Sequence, residues 1–262
     1  MELGLKDKAV LVLASSKGLG KAIAKEFARE GAKVMITSRN EELLQRAVEE
    51  IRQETGTLVQ AQVCDIKKAN QIKELVQKTV AVFGTVDVLV NNSGGPSGGN
   101  FDDLDDEKWM DAFELTLLSY IRTIREVLPY MRKQKRGHIV NVASTSFKQP
   151  IEGLLLSNTF RTGITGLAKS LSQEFAQDNI LINTVGPGRF ATDRVIEIDQ
   201  LQAESKGKDY EEFRKASERA IPIGRYGDPI EFANTVLFLS SMANTYITGQ
   251  AILVDGGATK AL

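Results

Sequence analysis

Cysteine, histidine and tryptophan occur once each in a chain of 262 residues. A single cysteine, Cys64, cannot form a disulfide within the chain, and this fits a reducing compartment, so a cytoplasmic location is expected. One histidine, His138, and one cysteine leave no ligand cluster of zinc type, and no metal is expected. No apolar run approaches the ~18 residues of a membrane span. The N-terminus MELGLKDKAVLVLASS lacks a basic stretch followed by a full apolar core, so no secretory signal and no membrane partner are expected. Excess charge of one sign is also absent: the formal net charge is −1 and the pI about 6.0. No global field therefore invites nucleic acid or an acidic membrane surface. No proline- or serine-rich linker divides the chain, and no internal repeat or low-complexity tract is present.

What is present is ordinary in amount, with 42% hydrophobic and 26% charged residues, and informative in order. Short apolar runs fall at 9–13, 33–37, 58–63, 86–90, 138–143, 180–185 and 251–255. Segments of helical periodicity lie between them, with long ones at 106–135 and 154–177. Near-continuous apolar strands alternating with helices predict an α/β fold: a single doubly wound, Rossmann-type domain over 1–262. Its parallel sheet has about seven strands and helices on both faces. Gly31 and Gly84 follow helical patterns where left-handed caps are expected. The charged segment 189–224 breaks the rhythm. It begins where a parallel strand ends, at the side of such sheets where ligands bind, and is expected to form a substrate lid.

After the first run comes ASSKGLGKAIA. Gly18 and Gly20 lie between a strand and a helix, where backbone amides and a helix N-terminus can meet a pyrophosphate. The second strand ends in Ser38 and Arg39, where a carboxylate would select NAD. A serine and an arginine there, with Lys17 before Gly18, can bind and neutralise a 2′-phosphate, so NADP is the expected cofactor, with NADPH favoured over NADH.

These motifs, in this order, resemble the short-chain dehydrogenases/reductases along essentially the whole chain. ASSKGLG (Ala14, Ser16, Lys17, Gly18, Leu19, Gly20) resembles the family's T-G-x-x-x-G-x-G loop, with Ala14 in place of its first glycine. Asp65 in VCDI matches the residue that contacts adenine. NNSG, with Asn91 and Asn92, resembles N-N-A-G. Ser144, ending NVAS, matches the catalytic serine. PGRFATD resembles P-G-x-x-x-T, which brings in Pro187, Gly188 and, near the nicotinamide carboxamide, Thr192. RYGDPIEFANTVLFLSS and YITGQAILVDGG are similar to the family's last helix and strand. The resemblance implies hydride transfer between nicotinamide and a small carbonyl or alcohol substrate. It also implies a homotetramer or homodimer formed through the fourth and fifth helices and the last strand.

The family's Tyr-x-x-x-Lys pair is replaced. Aligning GLAKSL (166–171) with the similar family segment puts Ser157 at the tyrosine and Arg161 at the lysine. Thr116 stands where the family has an asparagine that holds a relay water. A serine hydroxyl is far less acidic than a phenol and shorter by about one aromatic ring, roughly 5 Å. An arginine keeps its charge, can bind ribose hydroxyls and can stabilise an oxyanion, but does not shuttle protons. The leading expectation is thus an NADP-dependent oxidoreductase with atypical proton transfer, with Ser144, Ser157, Arg161 and Thr116 as its catalytic set and Arg161 also serving the cofactor. Two alternatives stand beside it: an NADP(H)-binding protein with little turnover, and lyase or isomerase chemistry through Lys148 or Glu152. Tyr210 and Arg214, four apart in the segment 189–224, read as a solvated helix face. His138 and Cys64 read as structural.

Overall fold

The computed structural model describes residues 2–262. Its strands are β1 (Ala9–Val12), β2 (Lys33–Ser38), β3 (Val59–Val63), β4 (Val88–Asn91), β5 (Gly137–Val142), β6 (Ile180–Pro187) and β7 (Ala251–Val254). They form one sheet in the order β3-β2-β1-β4-β5-β6-β7, and every pairing is parallel. The order reverses between β1 and β4, so their carboxyl ends border the crevice where such sheets bind ligands. The helices are α1 (Gly18–Arg29), α2 (Glu41–Thr55), α3 (Ala69–Phe83), α4 (Asp106–Phe113), α5 (Ser119–Lys133), α6 (Leu155–Glu174), α7 (Asp193–Ser205), α8 (Tyr210–Arg219) and α9 (Pro229–Ser240).

Strand residues alternate between two apolar layers, as the pleat requires. Val10, Val12, Val88, Val90, Val140 and Val142 pack with α1, α2 and α9. Leu11, Leu89, Ile139 and Ile182 pack on the opposite side with α3, α5 and α6. Each such side chain, fully buried, contributes roughly 1.5–3 kcal/mol. A shift of register by one residue would exchange the two layers, so the pattern fixes the pairing.

All seven apolar runs become strands, with small differences at their ends. The fourth starts at Val88, because the Asp87 carboxylate accepts the Ala9 N–H at 2.9 Å and ties off the start of β1. The expected helix at 106–135 is interrupted: residues Glu114–Leu118 form a π-helical turn between α4 and α5. Within that turn the Thr116 hydroxyl donates to the Ala112 carbonyl. Such turns widen a helix locally and occur often at functional sites. No helix among the described residues is long and apolar enough to cross a membrane.

At the carboxyl ends of three central strands a polar row replaces the apolar layer. Register places Asn91 beside Asn141 and Asn141 beside Thr184. All three are fully buried, and Asn91 Nδ2 donates to Asn141 Oδ1 at 2.9 Å. Above this row sits a separate small cluster of Tyr120, Ala143 and Ile164. The polar row therefore marks the floor of the candidate site.

His138 lies at the opposite end of β5. It is buried, with Nε2 3.3 Å from the Asn244 carbonyl. Burial pushes its pKa below the ordinary value of 6.5. The unfolded chain therefore takes up this proton first as pH falls, and stability drops below about pH 6.5. Lowering the pH from 7.5 to 5.5 should lower the urea midpoint of the native protein, and most of that loss should be absent in His138→Gln. Equal pH dependence in both proteins would show that other groups set the acid limit.

Candidate active site

The loop from β1 to α1 is held in shape from below. Ser15 Oγ donates to Val12 O at 2.7 Å and accepts the Thr37 N–H at 3.0 Å. Asn92 Nδ2 donates to the carbonyls of Leu13 and Ala14 at 3.3 and 3.1 Å. Asn92, expected at the cofactor, thus spends its amide bracing the loop. A Cβ at Gly20 would come within 2.4 Å of the Ala14 carbonyl and 2.7 Å of Asn92 Nδ2, so only glycine lets α1 approach this closely. Leu19 is half-buried and packs against the α1 side of the core.

Lys17 caps α1 without a side-chain hydrogen bond, and the first turn of α1 carries no acidic residue. The orphan N–H groups of such a helix end form an anion site. Ser16 Oγ donates to Ser38 Oγ at 2.9 Å, joining the glycine loop to the end of β2. Arg39 is exposed beside it. Asp65, half-buried after β3, accepts the Lys67 N–H through Oδ1 at 3.0 Å and leaves Oδ2 uncommitted. Across the crevice, Thr192 caps α7 and faces Gly18, its Cγ2 lying 3.9 Å from where a Gly18 Cβ would stand. Pro187 ends β6, and a Cβ on Gly188 would come within 2.6 Å of Asp255. A cavity of about 310 Å³ lies here, bounded by Lys17, Gly18, Lys21, Thr192, Asp193 and Pro229.

The other end of the crevice holds Ser144, Ser157 and Arg161. Ser144 follows β5, and its Oγ accepts the Ser146 N–H at 3.2 Å, which leaves its own O–H free to donate. Ser157 and Arg161 lie one turn apart on α6, and both are buried. Ser157 Oγ is 3.2 Å from Ser146 Oγ. Arg161 is 4% exposed and has no carboxylate within ion-pair distance. Its Nη1 donates to Val142 O at 3.0 Å and to Tyr120 Oη at 3.2 Å. Its Nη2 donates to Gly94 O at 3.2 Å and to Ser93 Oγ at 3.3 Å. The guanidinium thus spans the carboxyl ends of β4 and β5.

Ser144, Ser157 and Arg161 are therefore brought together. Thr116 is fully buried and gives its only O–H to the helix backbone. Lys148 and Glu152 are exposed in the loop after Ser144. Cys64 is buried, and desolvation pushes its thiol up to about 12. No group of His, Cys, Asp and Glu that could hold a metal occurs among the described residues. Ser15, Ser146 and Tyr120 were not singled out by sequence reasoning. The signal for Tyr120 was its place four residues after Thr116, on the same helix face.

The segment after β6 forms α7 and α8 and is tied to the rest of the chain near Tyr226 and through Phe190, which is buried against Phe232. Asp199 on α7 is fully buried, paired with Arg189, and accepts the Tyr226 hydroxyl at 2.5 Å. The guanidinium carbons of Arg189 and, from α8, Arg214 lie 5.8 and 5.7 Å from the Tyr226 ring centroid. Arg214 also pairs with Glu218 at 3.1 Å.

With this geometry in place, comparison with known proteins assigns the class. The family model described as enoyl-(acyl carrier protein) reductase matches residues 13–259. The chain belongs to the short-chain dehydrogenase/reductase family and shares its oxidoreductase fold. It is 34% identical over 266 residues to an uncharacterized oxidoreductase, YvrD, of Bacillus subtilis (strain 168), covering all of both chains. L-sorbose reductase from Gluconobacter frateurii, solved with NADPH and L-sorbose, is 31% identical, with a TM-score of 0.96 over all of both chains. An NADPH-bound short-chain oxidoreductase from Pseudomonas aeruginosa PAO1, described as containing an atypical catalytic center, is 29% identical. Its TM-score is 0.89 over 98% of this chain and 99% of that one.

Ala14 has φ at +46°, a left-handed conformation. A Cβ there costs about 1–2 kcal/mol. Ala14→Gly should therefore raise the melting temperature by about 2–8 °C, read by thermal unfolding without ligand. A lower melting temperature would mean that this strain is relieved elsewhere in the loop.

Proposed function

We propose that the protein is an NADP(H)-dependent reductase of small carbonyl compounds whose proton-donating site departs from the family's. The observations that carry the proposal are an uncapped α1 N-terminus, the Ser16–Ser38 link, and an exposed Arg39 beside it, an arrangement suited to a dinucleotide with a 2′-phosphate. NADPH-bound relatives of the same fold support it. When bound, the cofactor supplies the hydride. In this reading the α1 amides and Lys17 hold the pyrophosphate, while Ser38 and Arg39 hold the 2′-phosphate. Asp65 faces the adenine, and Thr192 with the Pro187–Gly188 turn faces the carboxamide.

The chain's own residues then handle the reacting oxygen. Ser144 donates its O–H to the carbonyl, since its lone pair already accepts the Ser146 N–H. Arg161 orients the ribose and places a buried positive charge beside the oxygen that becomes anionic. Ser157, tied to Ser146, lines the space that a phenol would fill. A water in that space, or a hydroxyl of the substrate, delivers the proton. Residues 189–224 act as the lid, anchored on Tyr226. We further propose a homotetramer or homodimer built on α4–α6, where Phe113, Leu117 and Phe160 are incompletely buried.

A second reading, cofactor binding with little turnover, is favoured by one observation: Ser157 and Thr116 both have their hydroxyls engaged within the fold. The two readings separate in one experiment. NADPH oxidation over a carbonyl panel is compared between the native protein and the Ser157→Tyr/Arg161→Lys variant, after both are shown to bind NADPH. The reductase reading predicts native activity that the double replacement lowers at least tenfold. Activity only in the variant would establish the second reading, and product formed without net NADPH consumption would point to lyase or isomerase chemistry.

Cofactor choice is tested separately. Arg39→Asp should weaken NADPH about tenfold or more while sparing NADH, because one charge-assisted contact is replaced by repulsion. Fluorescence titration reads both constants. An unchanged NADPH constant would place the 2′-phosphate elsewhere.

A further inference from the structure

We propose that Tyr120 is a positioning residue that holds Arg161 in its working orientation. The proposal rests on the reading of Arg161 as the cofactor's ribose anchor. Thr116, at the family's asparagine position, has given its O–H to the Ala112 carbonyl inside the π-helical turn. It therefore presents no donor toward α6. Four residues on, Tyr120 points the same way and is long enough to reach the cation. Its hydroxyl donates to Val142 O at 2.7 Å and accepts from Arg161 Nη1 at 3.2 Å. Tyr120 is fully buried, within the small cluster that includes Ala143 and Ile164.

The arrangement has a specific geometric effect. Val142 O and Tyr120 Oη together fix Nη1 at the end of β5, while Gly94 O and Ser93 Oγ fix Nη2 at the end of β4. Both terminal nitrogens are held, so the plane of the guanidinium is set. A lysine has one nitrogen and cannot be oriented in this way. A phenol and a cation are thus still paired at this site, but the phenol comes from α5 and lies behind the cation, sealed from solvent. From there Tyr120 cannot meet a substrate. It acts through Arg161 only.

The test is a double-mutant cycle on NADPH affinity, measured by the fluorescence of bound NADPH. The four proteins are native, Tyr120→Phe, Arg161→Met and the double variant. Tyr120→Phe keeps the buried ring and removes one hydroxyl, so circular dichroism and gel filtration should match the native protein. The expected result is a five- to twentyfold loss of NADPH affinity on Tyr120→Phe in the native background, and no further loss when Arg161 is already Met. A merely structural role would give the same loss in both backgrounds, and that result would overturn the proposal, as would no loss in either. If Arg161→Met alone leaves NADPH affinity unchanged, the anchor reading of Arg161 falls and takes the proposal with it. If Arg161→Met does not fold, Arg161→Lys replaces it in the same cycle. It keeps the charge but not the two-nitrogen clamp, and the prediction is unchanged.

Discussion

The buried guanidinium of Arg161 is the constraint on which the candidate site depends. Burying an ion without a counter-charge costs several kcal/mol, and no carboxylate among the described residues lies within ion-pair distance. What offsets the cost is a ring of oxygens: the carbonyls of Gly94 and Val142 and the hydroxyls of Ser93 and Tyr120. Those oxygens sit at the carboxyl ends of β4 and β5 and on α5. Satisfying the cation therefore fixes the spacing of two strand ends, the rotation of α6 and the approach of α5. Ser157 lies one turn earlier on α6, so its hydroxyl is delivered to Ser146 by the same constraint.

The two ends of the crevice ask for different physics. Binding a dinucleotide needs backbone amides, small residues and fixed charges, and the β1–α1 loop supplies them through Gly20, the α1 N-terminus and Lys17. Moving a proton needs a group that titrates near the working pH. Ser157, Thr116 and Arg161 carry serine, threonine and arginine side chains, none of which does so in ordinary surroundings. A fold can keep the first property while changing the second, because among the described residues no hydrogen bond joins Ser157 or Arg161 to the glycine loop. Family membership thus speaks for the fold and the oxidoreductase class, and the details of proton transfer are carried by a few side chains.

Much of this was legible in the sequence. Continuous apolar runs gave a parallel sheet, and alternation along β1 explains why Val10 and Leu11 face opposite layers. The family resemblance grouped Ser144, Ser157 and Arg161, and the structure has Ser157 and Arg161 one turn apart on α6 beside the Ser144 loop. The π-helical turn was not legible, since nothing in ELTLL departs from ordinary helical composition. The fate of the Thr116 hydroxyl depended on that turn. Tyr120 and the Tyr226 anchor of α7 and α8 escaped notice for a common reason. Tyr120 acts through Arg161 and Tyr226 through Asp199, both far away in sequence, and helical spacing marks the face a side chain lies on but not such a partner.

The most direct test of the account is a crystal structure of the NADPH complex. The account predicts that Arg161 keeps its bonds to the carbonyls of Val142 and Gly94 and turns its remaining edge to the nicotinamide ribose hydroxyls, with Ser144 facing the nicotinamide carbon that gives the hydride. A ribose held by other groups, or an Arg161 side chain swung out of the β4–β5 clamp, would contradict it.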